Sequence, residues 1–275
     1  MAGQPQQDDI LDRIARAKRV ELEKLRDTVP QSALEQKVTP RDPGRFRSAL
    51  LEQRAGQSGC AVIAESKKAS PSRGVICADY DPVRIALGYE RAGARAVSVL
   101  TDTEFFQGSL DDLRQVKAAV KIPILRKDFT LDEYHIYEAA AAGADAILLI
   151  VAILKPADIP NFMQLSKSLG MDALVEVHTA GELKIAADAG AEIIGVNNRD
   201  LKTFEVSLQT SLQLIAFIPD NCVAVSESGL RTAGDLERLR RAGFDAFLIG
   251  ERFMSEKDPG AALEHLLSGV PARNQ

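Results

Sequence analysis

The chain has 275 residues, of which 45% are hydrophobic and 27% are charged, the balance of a soluble globular protein. Its 34 basic and 39 acidic residues give a formal net charge of -5, and no Lys/Arg block offers a nucleic-acid surface. No stretch approaches the roughly 20 apolar residues of a membrane span, and the N-terminus lacks the apolar core of a signal peptide. We therefore expect a cytoplasmic protein with neither a nucleic-acid nor a membrane partner.

The three cysteines show no metal-ligand spacing, and their number is odd. They are Cys60, Cys77 and Cys222, and Cys60 and Cys222 each begin an apolar run. Small buried side chains in a reducing compartment explain this pattern better than a disulfide framework does.

The first predicted element is a strongly charged helix over residues 8–29, which Pro30 ends. Its apolar side chains fall near one face: Ile10, Ile14, Leu22, Leu25 and Val29. A polar, proline-containing segment follows, and then a short helix over residues 46–54. These features predict a helical extension over residues 1–56 that packs on the rest of the chain.

From residue 60 onward, apolar runs of strand length alternate with helix-like segments. Runs nearly continuous in Val, Ile and Leu are typical of parallel strands buried on both faces. Eight such units predict an α/β protein with a single (β/α)8 TIM barrel over residues 57–270. The runs are CAVIAE (60–65), RAVSVLT (95–101), IPILRKD (122–128), ADAILLIV (144–151), MDALVEVH (171–178), AEIIGVNN (191–198), CVAVSES (222–228) and DAFLIG (245–250).

A doubly wound open sheet is the competing architecture. It usually carries a G-x-G-x-x-G fingerprint after its first strand. Here that place holds S-K-K-A-S-P-S-R-G (66–74), which does not fit the fingerprint and favours the barrel.

Polar residues gather where the predicted strands end. In a barrel of this type the chemistry lies at the C-terminal ends of the strands, because the βα loops meet there. Glu65 and Lys67 close the first run two residues apart, so they share one side of an extended chain. Lys127, Glu176 and Asn197 lie within two residues of the ends of the third, fifth and sixth runs. One charged strand end is typical of a solvated terminus, whereas several on one rim indicate a site.

The last two strand ends suggest a phosphate site. Ser228 and Gly229 lie at the end of the seventh run, and Gly250 and Glu251 lie at the end of the eighth. Loops at these two positions commonly hold a phosphate in TIM barrels, through backbone N–H groups and the start of a short helix. We therefore expect a phosphorylated substrate.

The histidines are weaker candidates. His178 lies two residues beyond a glutamate, but without a third spaced ligand we interpret it as a packing or supporting residue. His135 and His265 lie in helical segments and are predicted to be exposed. Phe106 and Phe129 directly follow the second and third strands, where they could wall an aromatic pocket.

Together these motifs resemble those of the indole-3-glycerol-phosphate synthase family of tryptophan biosynthesis. The resemblance runs from about residue 9 to residue 267, and its N-terminal I-L-D-R-I-A-R-A-K-R-V-E is similar to the family's leading helix. The other segments are I-A-E-S-K-K-A-S-P-S-R-G (63–74), P-I-L-R-K-D-F (123–129), A-D-A-I-L-L-I-V-A-I-L (144–154), A-L-V-E-V-H (173–178), I-G-V-N-N-R-D-L (194–201), V-S-E-S-G (225–229) and F-L-I-G-E-R-F-M (247–254).

The resemblance implies a carboxy-lyase. It would convert 1-(o-carboxyphenylamino)-1-deoxyribulose 5-phosphate into indole-3-glycerol phosphate, carbon dioxide and water, without a cofactor or metal. Lys127 would be the general acid that protonates the ketone oxygen, and Glu176 the catalytic base. The remaining polar catalytic set would be Glu65, Lys67, Asn197 and Ser228. The substrate-binding residues would be Ser70, Phe106, Phe129, Leu148, Arg199, Leu201, Glu227, Gly229, Gly250 and Glu251.

The chemistry fits these residue types. The substrate is anionic and the protein is net negative, so Lys67, Lys127 and Arg199 would supply local attraction. Ring closure and loss of water both need a proton donor, and burial or a second cation would lower the pKa of the lysine toward neutrality. Which lysine donates in dehydration, and whether Glu65 or Glu176 is the base, stays open.

Two rival functions are weaker. A sister barrel enzyme, phosphoribosylanthranilate isomerase, works with a Cys and Asp pair on early strands, whereas the first strand here ends E-S-K. A non-catalytic phosphate-binding barrel has no need of two lysines and two carboxylates around one carbonyl. We therefore expect an enzyme with a small phosphorylated substrate, acting as a monomer or weak homodimer.

Overall fold

The computed structural model describes residues 10–41, 43–52, 60–201 and 203–271. The strands are β1 (Ala61–Ser66), β2 (Ala69–Ser70), β3 (Gly74–Val75), β4 (Ala96–Leu100), β5 (Ile124–Lys127), β6 (Ala146–Ile150), β7 (Asp172–Val177), β8 (Ile193–Asn197), β9 (Val223–Glu227) and β10 (Ala246–Ile249). The helices are α1 (Ile10–Thr28), α2 (Gln31–Glu35), α3 (Arg45–Leu51), α4 (Pro82–Arg91), α5 (Leu110–Ala119), α6 (Glu133–Ala142), α7 (Asp158–Ser168), α8 (Ala180–Asp188), α9 (Leu208–Leu214), α10 (Ala233–Ala242), α11 (Glu251–Met254) and α12 (Pro259–Ser268).

Eight parallel strands form a closed barrel in the order β1-β10-β9-β8-β7-β6-β5-β4, and β4 pairs with β1 to complete the ring. Each predicted apolar run supplies one of these strands. Closure leaves no open edge, so the (β/α)8 TIM barrel is confirmed and the doubly wound sheet is wrong. The short β2–β3 hairpin lies in the first βα loop and was not predicted.

The barrel strands bury both faces, as their continuous apolar runs predict. One face packs outward against the surrounding helices. The other fills the barrel interior with residues such as Ile63, Leu125, Leu174 and Leu248. Inward-facing positions alternate along each strand, so the last inward residues of several strands emerge together at the C-terminal end.

Helix α3 closes the N-terminal end of the barrel. Phe46 and Leu50 are fully buried against the interior residues at the starts of the strands. The Arg47 amide donates to the Asp172 carboxylate at the first residue of β7, 2.9 Å away. This end is therefore a packed plug, and the route into the barrel lies at the opposite end.

Helix α1 lies across that opposite end. The Lys18 ammonium lies 3.2 Å from Asp102 and 2.9 Å from Asp128, which follow β4 and β5. The Arg26 guanidinium lies 2.6 Å from Asp132 at the start of α6. A helix with an apolar face and a few long basic side chains thus docks on the rim that carries the βα loops.

Some predictions concern residues outside the described ranges. The helix predicted over residues 8–29 is observed from Ile10 to Thr28, with residues 8 and 9 outside the description. The predicted boundary between residues 56 and 57 falls in the undescribed stretch 53–59, as do residues 53 and 54 of the second predicted helix. Among the helices that are described, none combines the length and apolar character needed to span a bilayer.

One burial prediction is wrong. His135 is 5% exposed rather than a surface residue, and its Nδ1 accepts a hydrogen bond from the Leu131 amide at 3.2 Å. Burial and the nearby Arg126 guanidinium lower the pKa of His135 to about 4. His265 is exposed as predicted, and Cys60 and Cys222 are buried as predicted.

Candidate active site

A cavity of about 400 Å³ opens at the C-terminal end of the barrel. That volume is within the range of sites for small ligands. Most of the predicted site residues line it, from six of the eight barrel strands or the loops after them. They are Glu65, Lys67, Ser70, Phe106, Lys127, Phe129, Asn197, Arg199, Leu201, Glu227, Ser228, Gly229, Gly250 and Glu251.

The two other predicted residues lie deeper. Leu148 is 2% exposed and belongs to the apolar interior of the barrel. Glu176 is 3% exposed and is covered by two cavity residues. Its Oε1 accepts from the Asn197 amide at 3.1 Å, and its Oε2 lies 3.6 Å from the Lys127 ammonium. Glu176 therefore meets the cavity through Lys127 and Asn197.

Glu65 and Lys67 form an ion pair, with 2.7 Å between Oε1 and Nζ. Burial raises the pKa of Glu65, but the ammonium groups of Lys67 and Lys127 outweigh it and hold that pKa below its ordinary value. The carboxylate therefore stays ionised and orients the Lys67 ammonium at the cavity wall. This arrangement explains why a buried strand ends with both charges on one side.

Lys127 faces three carboxyl groups. Burial lowers the pKa of Lys127, but Glu176, Glu227 and Glu65 together raise it above its ordinary value. This is opposite to the lowering expected from burial or a second cation. Lys127 is therefore a fixed ammonium at neutral pH, ready to donate to an oxygen on which negative charge develops.

Glu227 is the least expected group in the site. It is 1% exposed, and its Oε1 has no hydrogen-bond partner among the described residues. Burial and the neighbouring Glu176 raise the pKa of Glu227 to about 8, against the lowering effect of Lys127. Glu227 therefore carries a proton at neutral pH. The family resemblance predicts Glu227 among the substrate-binding residues. Its protonation cannot be predicted from the sequence, because it depends on a carboxyl group from another strand.

Two glycines make room for these carboxyl groups. A Cβ at Gly195 would lie 2.1 Å from Glu227 Oε1, and a Cβ at Gly250 would lie 2.4 Å from Glu65 Oε1. Neither distance is compatible with a side chain. Gly195 was missed by the sequence reasoning, although its place inside an apolar run, next to the strand that carries Glu227, is the expected mark of a close approach.

An apolar wall faces the charged groups. The rings of Phe106 and Phe129 lie 6.1 Å apart at a 39° tilt, as expected for an aromatic pair. Helix α1 adds Ile10, Leu11 and Ile14 to the cavity lining. The apolar face of this helix was recognised in the sequence, but its contribution to the cavity was not.

The opposite side of the cavity carries cationic and backbone donor groups. The Arg199 guanidinium lies 3.0 Å from Glu251, and the Arg73 guanidinium lies 3.4 Å from the same carboxylate. Ser228 and Gly229 have φ values of 65° and 77°, which turn the chain sharply after β9. These groups bring positive charge and backbone N–H groups to the mouth of the cavity.

His178 has a supporting position. Its Nδ1 lies 2.7 Å from the Asn197 carbonyl oxygen, so it braces the end of β8. In the described part of the chain, no three His, Cys, Asp or Glu side chains are grouped so as to hold a metal ion.

Comparison with solved structures supports the fold alone. The chain is similar to 3-hexulose-6-phosphate synthase from Salmonella typhimurium, with a TM-score of 0.60, 11% identity and coverage of 76% of this chain and 98% of that one. It is also similar to N-acetylmannosamine-6-phosphate 2-epimerase from Clostridium perfringens, with a TM-score of 0.57, 13% identity and coverage of 73% and 90%.

Sequence comparison is more specific. The family model of indole-3-glycerol phosphate synthase matches residues 11–266. An indole-3-glycerol phosphate synthase of Chlorobium luteolum is 52% identical over 250 residues, covering 90% of this chain and 94% of the relative. That of Desulfotalea psychrophila is 48% identical over 261 residues, covering 94% and 98%. With the model spanning nearly the whole barrel and α1, the chain belongs to the indole-3-glycerol phosphate synthase family.

Proposed function

We propose that this carboxy-lyase uses Lys127 as general acid and Glu176 as general base. The substrate is the small phosphorylated compound 1-(o-carboxyphenylamino)-1-deoxyribulose 5-phosphate, and the product is indole-3-glycerol phosphate. The observation that carries the proposal is the position of Lys127, an ammonium held among three carboxyl groups at the floor of the cavity.

The first step is ring closure. The aryl carbon that bears the carboxylate attacks the ketone carbon, and Lys127 protonates the ketone oxygen as the new C–C bond forms. The ring then loses carbon dioxide and regains its aromaticity. A positioned acid of this kind typically contributes ~10²–10⁴-fold to the rate. The raised pKa of Lys127 keeps the ammonium protonated at neutral pH, and the developing alkoxide is basic enough to take that proton.

The second step is loss of water. The Lys67 ammonium, or Lys127 once it has regained a proton, protonates the new hydroxyl group, which leaves as water, and Glu176 removes a proton from the ring intermediate. Asn197 donates to Glu176 Oε1 at 3.1 Å, which leaves Oε2 toward Lys127 and Glu227. The Glu65–Lys67 pair offers a second acid and base at this stage, on the opposite side of the cavity floor.

The substrate would span the cavity. Phe106 and Phe129 would hold the aryl ring, with Leu201 beside them and Leu148 beneath the floor. The Arg199 guanidinium lines the cavity, so it would take the carboxylate. Ser70, Gly229, Gly250 and the backbone of Glu251 would hold the phosphate. This orientation brings the two reacting carbons over Lys127.

Turnover without added metal tests the reaction. The purified protein is mixed with the carboxyphenylamino-deoxyribulose phosphate, and indole fluorescence is followed. We expect product from the wild-type chain. A folded sample that yields none would rule out the proposed reaction.

The Glu176→Gln variant tests the base. It keeps the Asn197 contact but cannot accept a proton, so we expect kcat to fall by ~10²-fold or more with little change in the unfolding midpoint. Glu264→Gln, an exposed substitution on α12, is the matched control. A Glu176→Gln variant with near-normal kcat would move the base to Glu65.

A further inference from the structure

A second set of polar side chains lies behind the loop that carries Ser228, outside the cavity. Asn198, Ser211 and Ser226 are each 1% exposed or less. The Asn198 Nδ2 lies 3.0 Å from Ser226 Oγ, and the Asn198 Oδ1 accepts from the Ser211 amide at 3.1 Å. The hydroxyl groups of Ser211 and Ser226 are 2.8 Å apart. This cluster joins β8, β9 and α9 from behind the site.

The same Asn198 side chain reaches the backbone on both sides of Ser228. Its Nδ2 lies 2.9 Å from the Glu227 carbonyl oxygen and 3.1 Å from the Ser228 carbonyl oxygen. These carbonyls belong to the two peptide planes that flank Ser228. Fixing both planes fixes the φ and ψ angles of Ser228, since the planes themselves are rigid.

Ser228 needs this restraint. Its φ of 65° lies in the left-handed region, which is unfavourable for a residue with a side chain and persists only where the surroundings hold it. In a trans peptide the N–H points opposite to the carbonyl. The Ser228 carbonyl points toward Asn198, so the Gly229 N–H points away from it, and Gly229 lines the cavity.

We propose that Asn198 is a positioning residue for anion binding: it holds the Ser228–Gly229 backbone in the conformation that receives the substrate's phosphate. This rests on the proposed function for the identity of the substrate. The two adjacent asparagines have different contacts because successive side chains of a strand point to opposite faces. Asn197 faces the cavity and Glu176, whereas Asn198 contacts the loop from behind.

The first test compares Asn198→Ala with Ser211→Ala. Ser211→Ala removes a member of the same buried cluster but leaves the Asn198–Ser228 contact. For Asn198→Ala we expect an approximately 10-fold rise in KM and in the calorimetric Kd for inorganic phosphate, with kcat within about 3-fold of wild type. For Ser211→Ala we expect both constants to stay within about 2-fold. Equal effects from the two variants would make Asn198 merely structural and overturn the proposal.

The second test is a double-mutant cycle with Ser228→Gly. Glycine adopts the left-handed conformation without strain, so it needs less restraint. We expect Asn198→Ala to raise the phosphate Kd by less than about 3-fold in the Ser228→Gly background. A full 10-fold effect in that background would contradict the positioning role.

If Asn198→Ala does not fold, Asn198→Asp keeps the volume and the acceptor for the Ser211 amide but lacks the donor, and the same rise in Kd is expected. If neither variant folds, Asn198 is a structural residue and the proposal is wrong. Phosphate binding is measured without turnover, so an inactive wild type would refute the proposed function while the Kd comparison still decides the role of Asn198.

Discussion

Charge balance around a single ammonium controls the chemistry at the residue scale. Lys127 lies among Glu65, Glu176 and Glu227, and these three carboxyl groups cannot all be ionised at low cost in a buried space. Glu65 is held ionised by Lys67, and Glu227 instead keeps its proton. The site therefore holds one ionised and one protonated carboxyl group beside Lys127 and Glu176, and the charge of each is set by its neighbours rather than by residue type.

Glu227→Gln tests this balance through stability. The pKa of Glu227 is raised in the folded state to about 8, whereas it is ~4.3 in an unfolded chain. The folded state therefore binds more protons between these values, and stability falls as pH rises from about 4.5 to about 8. The glutamine cannot ionise, so we expect the variant to be more stable than wild type at pH 8.5 by on the order of 2–4 kcal/mol.

The measurement is the free energy of unfolding in urea from pH 5 to pH 8.5. The free energy of unfolding of Glu227→Gln should exceed that of wild type by an amount that grows as pH rises. The variant should also be less active than wild type. Glu264→Gln is the control with an exposed carboxyl group. A gap that is constant with pH would show that Glu227 is ionised throughout.

The directions of the site's side chains can be predicted from the sequence, whereas their protonation cannot. Side-chain parity predicts that Glu65, Lys67 and Lys127 share one rim, because alternation along a strand is local. In R-K-D (126–128) the same alternation predicts that Arg126 and Asp128 point away from the barrel interior. It cannot predict that Glu227 is protonated or that Lys127 has a raised pKa, since both follow from distances between strands far apart in the chain.

At the scale of elements, α1 forms part of the cavity rather than only a cover. It contributes Ile10, Leu11 and Ile14 to the lining and is anchored by Lys18, whose side chain is 4% exposed. The anchor contacts Asp102, whose other oxygen accepts from the Phe105 amide at 2.7 Å, and Asp128, which directly follows Lys127. One buried ammonium thus ties the helix to two loops of the site.

Lys18→Met tests this anchor. The change leaves the Asp102 carboxylate buried without a cationic partner, and it leaves one oxygen of the Asp128 carboxylate, Oδ1, in the same state. Breaking one side of a buried ion pair typically costs ~3–5 kcal/mol. We expect the free energy of unfolding in urea to fall by that amount at pH 7, and KM to rise as the apolar wall loosens.

Arg26→Met is the matched control, because it removes a half-exposed ion pair of the same helix. Such a pair is worth about 0–1 kcal/mol. The pH dependence has a defined sign. Burial raises the pKa of Asp128, but Lys18 and Arg126 outweigh it and lower that pKa, so the stabilisation exists above about pH 4 and is lost as pH falls further. Equal losses in the two variants would refute the anchor.

The eight strands and most helices could be predicted, because apolar periodicity and length are local signals. The docking of α1 and α3 at opposite ends of the barrel could not. Their apolar faces predict that each helix packs on the rest of the protein but do not predict where. The residues that Lys18 and Phe46 contact lie on or next to strands much later in the chain. The burial of His135 was missed for the same reason, since the α6 face it occupies borders the Arg126–Asp128 network.

At the scale of the whole molecule, the barrel is closed at one end and open at the other. Phe46 and Leu50 of α3 fill the N-terminal end, and the strand ends with their loops form the cavity at the C-terminal end. A substitution at the plug should therefore change unfolding without changing turnover, because it lies at the end of the barrel away from the cavity.

The Lys127→Met variant gives the most direct test of the account, because ring closure, the first step proposed for the site, depends on that ammonium. The exposed Lys121→Met, on the plugged side of the barrel, is its control. The measurement is kcat on the carboxyphenylamino-deoxyribulose phosphate, with unfolding recorded for each protein. We predict a fall of ~10²-fold or more for Lys127→Met and no change for Lys121→Met. A folded Lys127→Met variant with near wild-type kcat would contradict the account and assign the acid to Lys67.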